Sequence, residues 1–276
     1  MFKKIGIVSR LDIEDAIKLS NEVLEFLSKK GLEVTLEKQL AEALKLNLGV
    51  PLNKLSADLI LTIGGDGTIL KTCMNIPNPE TPILSVDMGR RGYLTEVPPE
   101  HTFDAIEDCL AGKYKIEEHS KLSVFHEEEF LVDGLNEALI TSKTPLKPLH
   151  FDVLAGSYKL IEIRADGLII ATPTGSTAHA FSAGGPILET NLEAFDLVFI
   201  CPLKPIRSII IPDRLDVTIK VSNEKVGAVL ILDGCYIKEL SFNSKVLVKK
   251  SKYKALFIRF ETKFLCRRLS RLVSRM

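Results

Sequence analysis

An apolar run that ends in a glycine-rich loop is the feature that most restricts how this chain can fold. The uncharged run Leu59–Ile63 leads directly into Gly64-Gly65-Asp66-Gly67-Thr68, and a helical pattern begins with Ile69-Leu70-Lys71. A buried strand, a tight loop and a helix in this order are typical of an open α/β sheet, whose ligands bind at the carboxyl ends of the strands. The loop has neither the Gly-Lys-Ser/Thr ending of a Walker A motif nor the Gly-x-Gly-x-x-Gly spacing of a dinucleotide fingerprint.

The first hundred residues alternate between strand-like and helix-like segments. Asp12–Lys30 carries its apolar residues on one helical face, with Asp12 as a candidate N-cap and Gly31 where a left-handed residue would end the helix. The predicted strands of this region are Phe2–Val8, Leu32–Leu36, Leu59–Ile63 and Pro82–Val86. This alternation predicts a Rossmann-like, mostly parallel sheet flanked by helices.

From about residue 115 the pattern changes to short strand-like runs separated by turn residues. Leu215–Val221 is the clearest, because apolar and polar residues alternate along it. Many short strands at this spacing predict an all-β, sandwich-like domain. We therefore expect an α/β domain over residues 1–114 and a β-rich domain over 115–251, followed by a basic tail with an apolar helical face at 263–276.

Composition limits the partners and the compartment. The 276 residues contain 36 Lys and Arg against 36 Asp and Glu, so no basic excess points to nucleic acid. No apolar run is long enough to span a membrane, and we expect no membrane partner. The five cysteines are isolated from one another, which favours free thiols in a cytoplasmic protein. The histidines other than His179 stand in no metal-ligand spacing, and we expect them in loops or at the surface.

A second motif places hydroxyl groups and glycines after another predicted strand. Leu168–Ala171 is followed by Thr172-Pro173-Thr174-Gly175-Ser176-Thr177-Ala178-His179-Ala180-Phe181-Ser182-Ala183-Gly184-Gly185-Pro186. Five hydroxyl side chains within eleven residues, at Thr172, Thr174, Ser176, Thr177 and Ser182, can bind the edge of an adenine or a ribose. Glycines in the same stretch keep the backbone accessible to a ligand.

Two acidic positions complete the candidate chemistry. Asp66 is the one ionisable group of the first loop, where a carboxylate can accept a proton from a hydroxyl or help to hold Mg²⁺. Asn136 and Glu137 stand between apolar residues, and an amide beside a carboxylate can bind the two hydroxyls of a ribose. A plain turn for the Asp66 loop and a solvated strand face for the Asn136–Glu137 pair are the alternatives.

Together these motifs resemble the NAD kinase family, over most of the chain and in the same order. The resemblance also includes Gly89-Arg90-Arg91-Gly92-Tyr93-Leu94 and the basic ending. It implies an α/β domain and a β-rich domain, with the C-terminal segment 252–276 folding back onto the first. It further implies a homo-oligomer (dimer or tetramer), NAD as acceptor, ATP or polyphosphate as donor, and Mg²⁺ as the divalent metal.

The resemblance also assigns roles to individual residues. It implies that Asp66 is the general base, that Gly67 packs against the acceptor, and that Gly64, Gly65 and Thr68 serve the donor phosphates. The remaining expected nucleotide-binding residues are Tyr93, Asn136, Glu137, Asp166, Thr174, Ser176, Thr177, Ala178, His179 and Ser182, with Asn136 and Glu137 at the adenosine ribose and Asp166 towards the nicotinamide. No protein metal ligands are expected.

Three features depart from the family pattern, and two other functions fit part of it. Asp87 stands where the family has Asn, His179 stands where it has Tyr, and the segment 201–208 has no His where the family tends to carry Pro-His-Ser. A diacylglycerol or sphingoid lipid kinase would share the Gly-Gly-Asp-Gly loop and the two-domain plan, but not the Thr-Pro-Thr-Gly-Ser-Thr-Ala segment. A non-catalytic dinucleotide-binding sensor would bind NAD without turning it over.

Overall fold

The computed structural model describes residues 2–89, 92–222 and 226–260. Their contacts group them into two compact units, one made of the described residues of 2–118 and 255–260 and the other of those of 119–254. The predicted tail helix at 263–276 lies outside the described residues.

The elements are named here in chain order. The strands are β1 (Lys4–Ser9), β2 (Glu33–Glu37), β3 (Gly49–Val50), β4 (Leu59–Gly64), β5 (Ile83–Asp87), β6 (Lys115–His126), β7 (Glu129–Gly134), β8 (Glu137–Ser142), β9 (Leu149–Ala155), β10 (Tyr158–Ala165), β11 (Gly167–Ala171), β12 (Ala194–Ile200), β13 (Ile209–Pro212), β14 (Val217–Ser222), β15 (Ala228–Leu232), β16 (Tyr236–Leu240) and β17 (Ser244–Arg259). The α-helices are α1 (Glu14–Lys29), α2 (Lys38–Ala43), α3 (Asp66–Asn75), α4 (Thr102–Leu110) and α5 (His179–Ser182).

The first unit is an α/β layer built on a parallel sheet. The sheet order is β3–β2–β1–β4–β5. The C-terminal end of β17 also pairs with β5, through Phe257 and Ile83. β4 is buried along its whole length, as the apolar run predicted for a central parallel strand. Its carboxyl end therefore places the glycine-rich loop at the edge of the sheet where ligands of this architecture bind.

The start of α1 differs from the prediction, whereas its end agrees. Ile13 occupies the N-cap position and no side chain caps the helix. Asp12 was expected to do so, but its two oxygens are held by the guanidinium of Arg10, each at 2.6 Å. The Asp12 carboxylate is thus engaged by Arg10, and the helix begins after Ile13. Gly31 has φ +75°, which confirms the left-handed residue predicted after the helix.

The second unit is an antiparallel, sandwich-like β domain. One sheet has the order β13–β12–β11–β8–β15–β16. The strands β10, β9, β14 and β17 follow one another in the other sheet, and β6 forms a hairpin with β7. Alternating burial along β9 and β14 shows one face packed and the other solvated. The predicted fold class is thereby confirmed.

Each unit has its own apolar core. Ile7, Val23, Leu61 and Ile106 belong to that of the first unit, where helices pack on the parallel sheet. Ile169 and Val198 belong to that of the second. Among the described helices, none combines the length and the apolar character that crossing a bilayer requires.

Candidate active site

The glycine-rich loop joins β4 to α3 in the first unit. α3 begins at Asp66, with Gly65 as its N-cap. A Cβ at Gly64 would overlap the hydroxyl of Thr68, whereas a Cβ at Gly65 or Gly67 would meet open space. The backbone N–H groups of this first turn are thus approachable from outside, and the N-terminus of a helix attracts phosphate oxygens.

The carboxylate of Asp66 is oriented by backbone groups. The N–H of Tyr93 donates to its two oxygens at 2.9 and 3.1 Å, and the N–H of Leu94 donates to Oδ1 at 2.8 Å. Tyr93, a predicted site residue, is therefore brought to Asp66 by its main chain. Because Asp66 is only half-buried, its carboxylate stays within reach of a ligand while its direction is fixed.

The segment that holds Asp66 is in turn held by a buried arginine. The Nη1 of Arg259 donates to the carbonyl of Leu94 at 3.1 Å. The same guanidinium binds Glu117 at 2.7 Å and lies 3.6 Å from Glu96, and the Arg259 side chain is 3% exposed. The end of β17, the main chain at Leu94 and the catalytic candidate Asp66 thus form one continuous chain of hydrogen bonds.

Asp87 lies at the end of β5, beside the same segment. Its Oδ1 accepts the N–H of Gly89 at 3.0 Å, a local turn that an asparagine would also make. A Cβ at Gly92 would come within 2.6 Å of Asp87 Oδ2, so the chain passes directly over this carboxylate. The family's Asn and the Asp found here can therefore fill the same structural position.

In the second unit, Asn136 immediately precedes β8, and Glu137 is the first residue of that strand. Both are 8% exposed, so the alternative of a solvated strand face is wrong. The carboxylate of Asp233 accepts three successive backbone N–H groups: Leu135 at 2.6 Å, Asn136 at 2.8 Å and Glu137 at 3.0 Å. The Oε2 of Glu137 is buried and makes no hydrogen bond to the described residues. It is a polar atom that a ligand hydroxyl could satisfy.

The hydroxyl-rich loop packs directly on this pair. The Thr172 hydroxyl donates to the Leu135 carbonyl at 2.6 Å, and the Thr172 N–H donates to the Asn136 carbonyl at 2.8 Å. A Cβ at Gly175 would overlap the main chain of Asn136. This glycine is therefore required for close packing of two backbone segments, which joins the hydroxyl-rich loop and the Asn136–Glu137 pair into one site.

The predicted hydroxyls divide into two sets. Thr174 and Ser176 are buried, and their hydroxyls bind protein groups: Thr174 lies 2.7 Å from Nδ1 of His119, and Ser176 donates to the Pro173 carbonyl at 2.6 Å. Both shape the loop from within. Of the other predicted site residues in this loop, Thr177 and Ala178 are half-buried, and His179 and Ser182 lie at the two ends of α5, where His179 is exposed and Ser182 is half-buried.

Asp166 is not brought to the Asn136–Glu137 pair. It lies just before β11, whose last residue, Ala171, pairs with Glu137. The five steps from Asp166 to Ala171 correspond to about 17 Å at strand rise. Asp166 therefore lies just before the beginning of β11, whereas Glu137 of β8 lies beside the end of β11.

Burial dominates the electrostatics of the Asn136–Glu137 pair. Burial, and then the negative charge of Asp233, raise the pKa of Glu137 to about 8. Burial also raises the pKa of Asp233, but its three N–H donors and the charge of Lys121 oppose this shift. We therefore assign the proton of this acidic pair to Glu137 near neutral pH, because it lacks the donors that stabilise a charge on Asp233.

Three residues of these sites were not found from the sequence. Asp233 precedes a glycine and resembles an ordinary hairpin turn. His119 was expected in a loop or at the surface, but it is fully buried in β6 beside Thr174, so that prediction is wrong. Arg259 stands in a run of strand residues with no distinguishing spacing. Each acts through partners distant in sequence, which motif spacing does not reveal.

The donor set fits a metal that arrives with a phosphorylated substrate. Within the described ranges, no group of three or more His, Cys, Asp and Glu side chains could hold an ion by itself. The loop at the start of α3 offers the carboxylate of Asp66. Mg²⁺ characteristically binds through one or two carboxylates together with substrate phosphates and water.

Comparison with known proteins agrees with the two units and their motifs. The ATP-NAD kinase N-terminal domain matches residues 5–114, and the ATP-NAD kinase C-terminal domain matches residues 135–260. The NAD kinase of Methanothermobacter thermautotrophicus is 40% identical over 264 residues, which cover 95% of this chain and 93% of the relative. The NAD kinase of Thermococcus sibiricus is also 40% identical, over 93% of this chain and 94% of its own length.

Solved structures give the same result. An NAD kinase from Archaeoglobus fulgidus in complex with ATP superposes with a TM-score of 0.79 at 25% identity, over 98% of this chain and 99% of that one. Yeast NADH kinase complexed with NADH has a TM-score of 0.89 over 99% of this chain and 87% of that one, and its 21% identity supports the fold alone. With both domain families matched in order along the chain, and relatives at 40% identity over nearly its whole length, the chain belongs to the NAD kinase family.

Proposed function

We propose that this NAD kinase family member transfers the terminal phosphoryl group of ATP to the 2′-hydroxyl of the adenosine ribose of NAD, giving NADP. The observation that carries the residue assignment is the carboxylate of Asp66, which is oriented by the N–H groups of Tyr93 and Leu94 at the start of a helix. The resemblance of the Gly64–Thr68 loop to that of the family supports the same role.

In this mechanism Asp66 accepts the proton of the attacking 2′-hydroxyl. Its two backbone donors hold the carboxylate in one direction, so little reorganisation precedes proton transfer. The N–H groups at the start of α3 bind donor phosphate oxygens, and the open space at Gly65 and Gly67 lets those oxygens approach. Phosphoryl transfer needs little covalent chemistry from the protein, so positioning and charge stabilisation account for the rate.

The second unit binds the acceptor in this proposal. Asn136 and Glu137 hold the adenosine ribose, where the buried Oε2 of Glu137 forms a hydrogen bond with a ribose hydroxyl. Thr177, Ala178, His179 and Ser182 line the adenine, because they are the predicted site residues of the loop that are not buried. Thr174 and Ser176 support the loop from beneath. Asp166, at the other end of β11, serves the nicotinamide half of the extended dinucleotide.

NAD kinases require a divalent metal, and we propose Mg²⁺, which would be held by the donor phosphates while Asp66 acts as the base. When bound, the ion neutralises charge that develops on the transferred phosphoryl group. We favour ATP over polyphosphate as donor, since the matching families are named for ATP and the Archaeoglobus fulgidus relative was solved with it. A homo-oligomer in the cytoplasm is also part of the proposal, and light scattering on the purified protein tests the assembly.

The deciding experiment is an NADP-forming assay on purified protein with NAD, Mg²⁺ and either ATP or polyphosphate. An NADP-specific dehydrogenase reports the product. Asp66→Asn keeps the size of the side chain and one oxygen acceptor for the backbone donors, and we expect turnover to fall by at least ~10²-fold, the usual effect of losing a positioned base. Asp104→Asn, which neutralises an exposed carboxylate on α4, is the matched control and should retain activity.

Other outcomes point to other assignments. Near-normal turnover in Asp66→Asn would remove Asp66 from the role of base without affecting the family assignment. NAD binding without turnover by any donor and metal would indicate a sensor. Phosphorylation of diacylglycerol but not of NAD would indicate a lipid kinase.

A further inference from the structure

Asp233 holds the main chain of the proposed ribose site from a turn almost one hundred residues away. It lies between β15 and β16, is 6% exposed, and accepts the N–H groups of Leu135, Asn136 and Glu137 at 2.6, 2.8 and 3.0 Å. Its own N–H donates to the Glu137 carbonyl at 3.1 Å. One side chain and its backbone thus make four hydrogen bonds to three consecutive residues.

This arrangement is not that of an ordinary strand. Successive N–H groups of an extended strand point in opposite directions, so three in a row can converge on one carboxylate only if the chain curves around it. Gly134 precedes the curve, and a Cβ there would lie 3.2 Å from Oδ1 of Asp233. Burial raises the pKa of Asp233, and its three N–H donors and the positive charge of Lys121, whose side chain is 1% exposed, oppose that shift.

The turn itself does not require a carboxylate. Asp233 has φ +47° and Gly234 has φ +65°, left-handed values that asparagine adopts as readily as aspartate. The hairpin would therefore form equally well with Asn at position 233. A carboxylate can accept the three N–H groups because both of its terminal atoms are accepting oxygens. The amide of asparagine has one oxygen, and its NH₂ group is itself a donor.

We propose that Asp233 is a positioning residue for the acceptor ribose. By fixing the curve of residues 135–137, its carboxylate aims the side chains of Asn136 and Glu137 at the two ribose hydroxyls. The inference rests on the proposed function, since it takes these two side chains to be the ribose ligands. It adds a residue that touches neither substrate but determines how well NAD is held.

The test compares NAD with an NAD analogue whose adenosine ribose lacks both hydroxyls. Calorimetric titration gives the dissociation constant of each ligand for the wild-type enzyme and for Asp233→Asn. We expect the variant to bind NAD about tenfold more weakly, the order of effect of losing one hydrogen bond between a misdirected side chain and the ribose. Binding of the analogue should change little, because it makes no contact with the ribose-holding side chains. The KM for ATP should stay within about twofold of its wild-type value.

Two further variants separate positioning from folding. Asp216→Asn removes another carboxylate of the second unit, one that pairs with Lys249 at 2.9 Å near the surface, and it should bind both ligands normally. Gly134→Ala places a methyl group close to the Asp233 carboxylate without removing the carboxylate. It should weaken the binding of NAD but not that of the analogue, and by less than Asp233→Asn does. This milder variant keeps the test decisive if Asp233→Asn does not fold.

The outcomes distinguish this inference from the function on which it rests. No NADP formation by the wild-type enzyme would overturn the proposed function. Normal NADP formation with unchanged NAD binding in Asp233→Asn and Gly134→Ala would overturn only the positioning role. An equal loss of affinity for NAD and for the analogue would also overturn it, since it would show a general structural effect.

Discussion

Glu137 is a buried acidic residue, with only 8% of its surface exposed to solvent. Its pKa is raised from 4.5 to about 8, first by burial and then by the charge of Asp233. Between these two values the folded protein retains a proton that the unfolded chain has released. The stabilising contribution of Glu137 is therefore complete below about pH 4.5 and is lost as the pH rises through about 8.

The first prediction follows from this linkage. Glu137→Gln cannot ionise, so its stability relative to the wild type should rise between pH 5 and pH 9, by on the order of a few kcal/mol. Urea unfolding at several pH values measures the difference. Glu129→Gln, which changes an exposed glutamate of β7, should follow the wild-type profile. Parallel profiles for Glu137→Gln and the wild type would contradict the buried, protonated state.

Replacing glycine by alanine should have opposite effects on stability at positions 175 and 67. A Cβ at position 175 would overlap the main chain of Asn136, so Gly175→Ala should lower the free energy of unfolding by about 1–3 kcal/mol, as overpacking does. A Cβ at position 67 meets open space inside α3, where alanine stabilises a helix by about 0.5–1 kcal/mol relative to glycine.

At position 67, the substitution should affect activity and stability in opposite directions. Gly67→Ala should fold as well as the wild type or better and yet turn over more slowly, because its methyl group occupies space next to the proposed donor and acceptor. Thermal unfolding and the NADP-forming assay measure both effects on the same preparations. Full activity in Gly67→Ala would show that no substrate approaches this position closely.

At the scale of elements, the strand that ends at Arg259 holds the segment whose main chain binds Asp66. Arg259→Gln would leave Glu117 and Glu96 without their common cation, and loss of one partner of a buried ion pair costs about 3–5 kcal/mol. It would also release the carbonyl of Leu94, whose N–H orients Asp66. We expect a large fall in melting temperature, and Glu33→Gln, which breaks an exposed pair with Lys4, should have little effect. A melting temperature equal to that of the wild type would contradict this role.

Elements defined by local sequence were predictable, and contacts between distant segments were not. The predicted strand Leu59–Ile63 differs from β4 by one residue, because an uninterrupted apolar run between turn signals is sufficient to specify a strand. The cap at Asp12 failed because Arg10 competes for its carboxylate. Asp233 was missed because its partners lie almost one hundred residues earlier, and an Asp-Gly turn carries no sign of them.

For the whole molecule, the predicted chemistry assigns different ligand groups to the two units. Donor phosphates are proposed to bind the backbone of residues 64–68 in the first unit, and the ribose and adenine of NAD to bind residues 136–137 and 174–182 in the second. Each substrate alone should then leave its own trace, because a ligand slows amide hydrogen exchange mainly where it orders the backbone it contacts.

Hydrogen exchange measured by mass spectrometry tests this division. ATP with Mg²⁺ should protect peptides that cover residues 64–75 more than those that cover 172–185, and NAD alone should give the reverse order. Asp66→Asn should keep both patterns while losing turnover, since it removes a base and retains the loop. Peptides from β16, at the edge of its sheet, serve as the internal control. If ATP instead protected only the 172–185 region, the donor would occupy the adenine loop, and the assignment of the Gly64–Thr68 backbone to donor phosphates would be wrong.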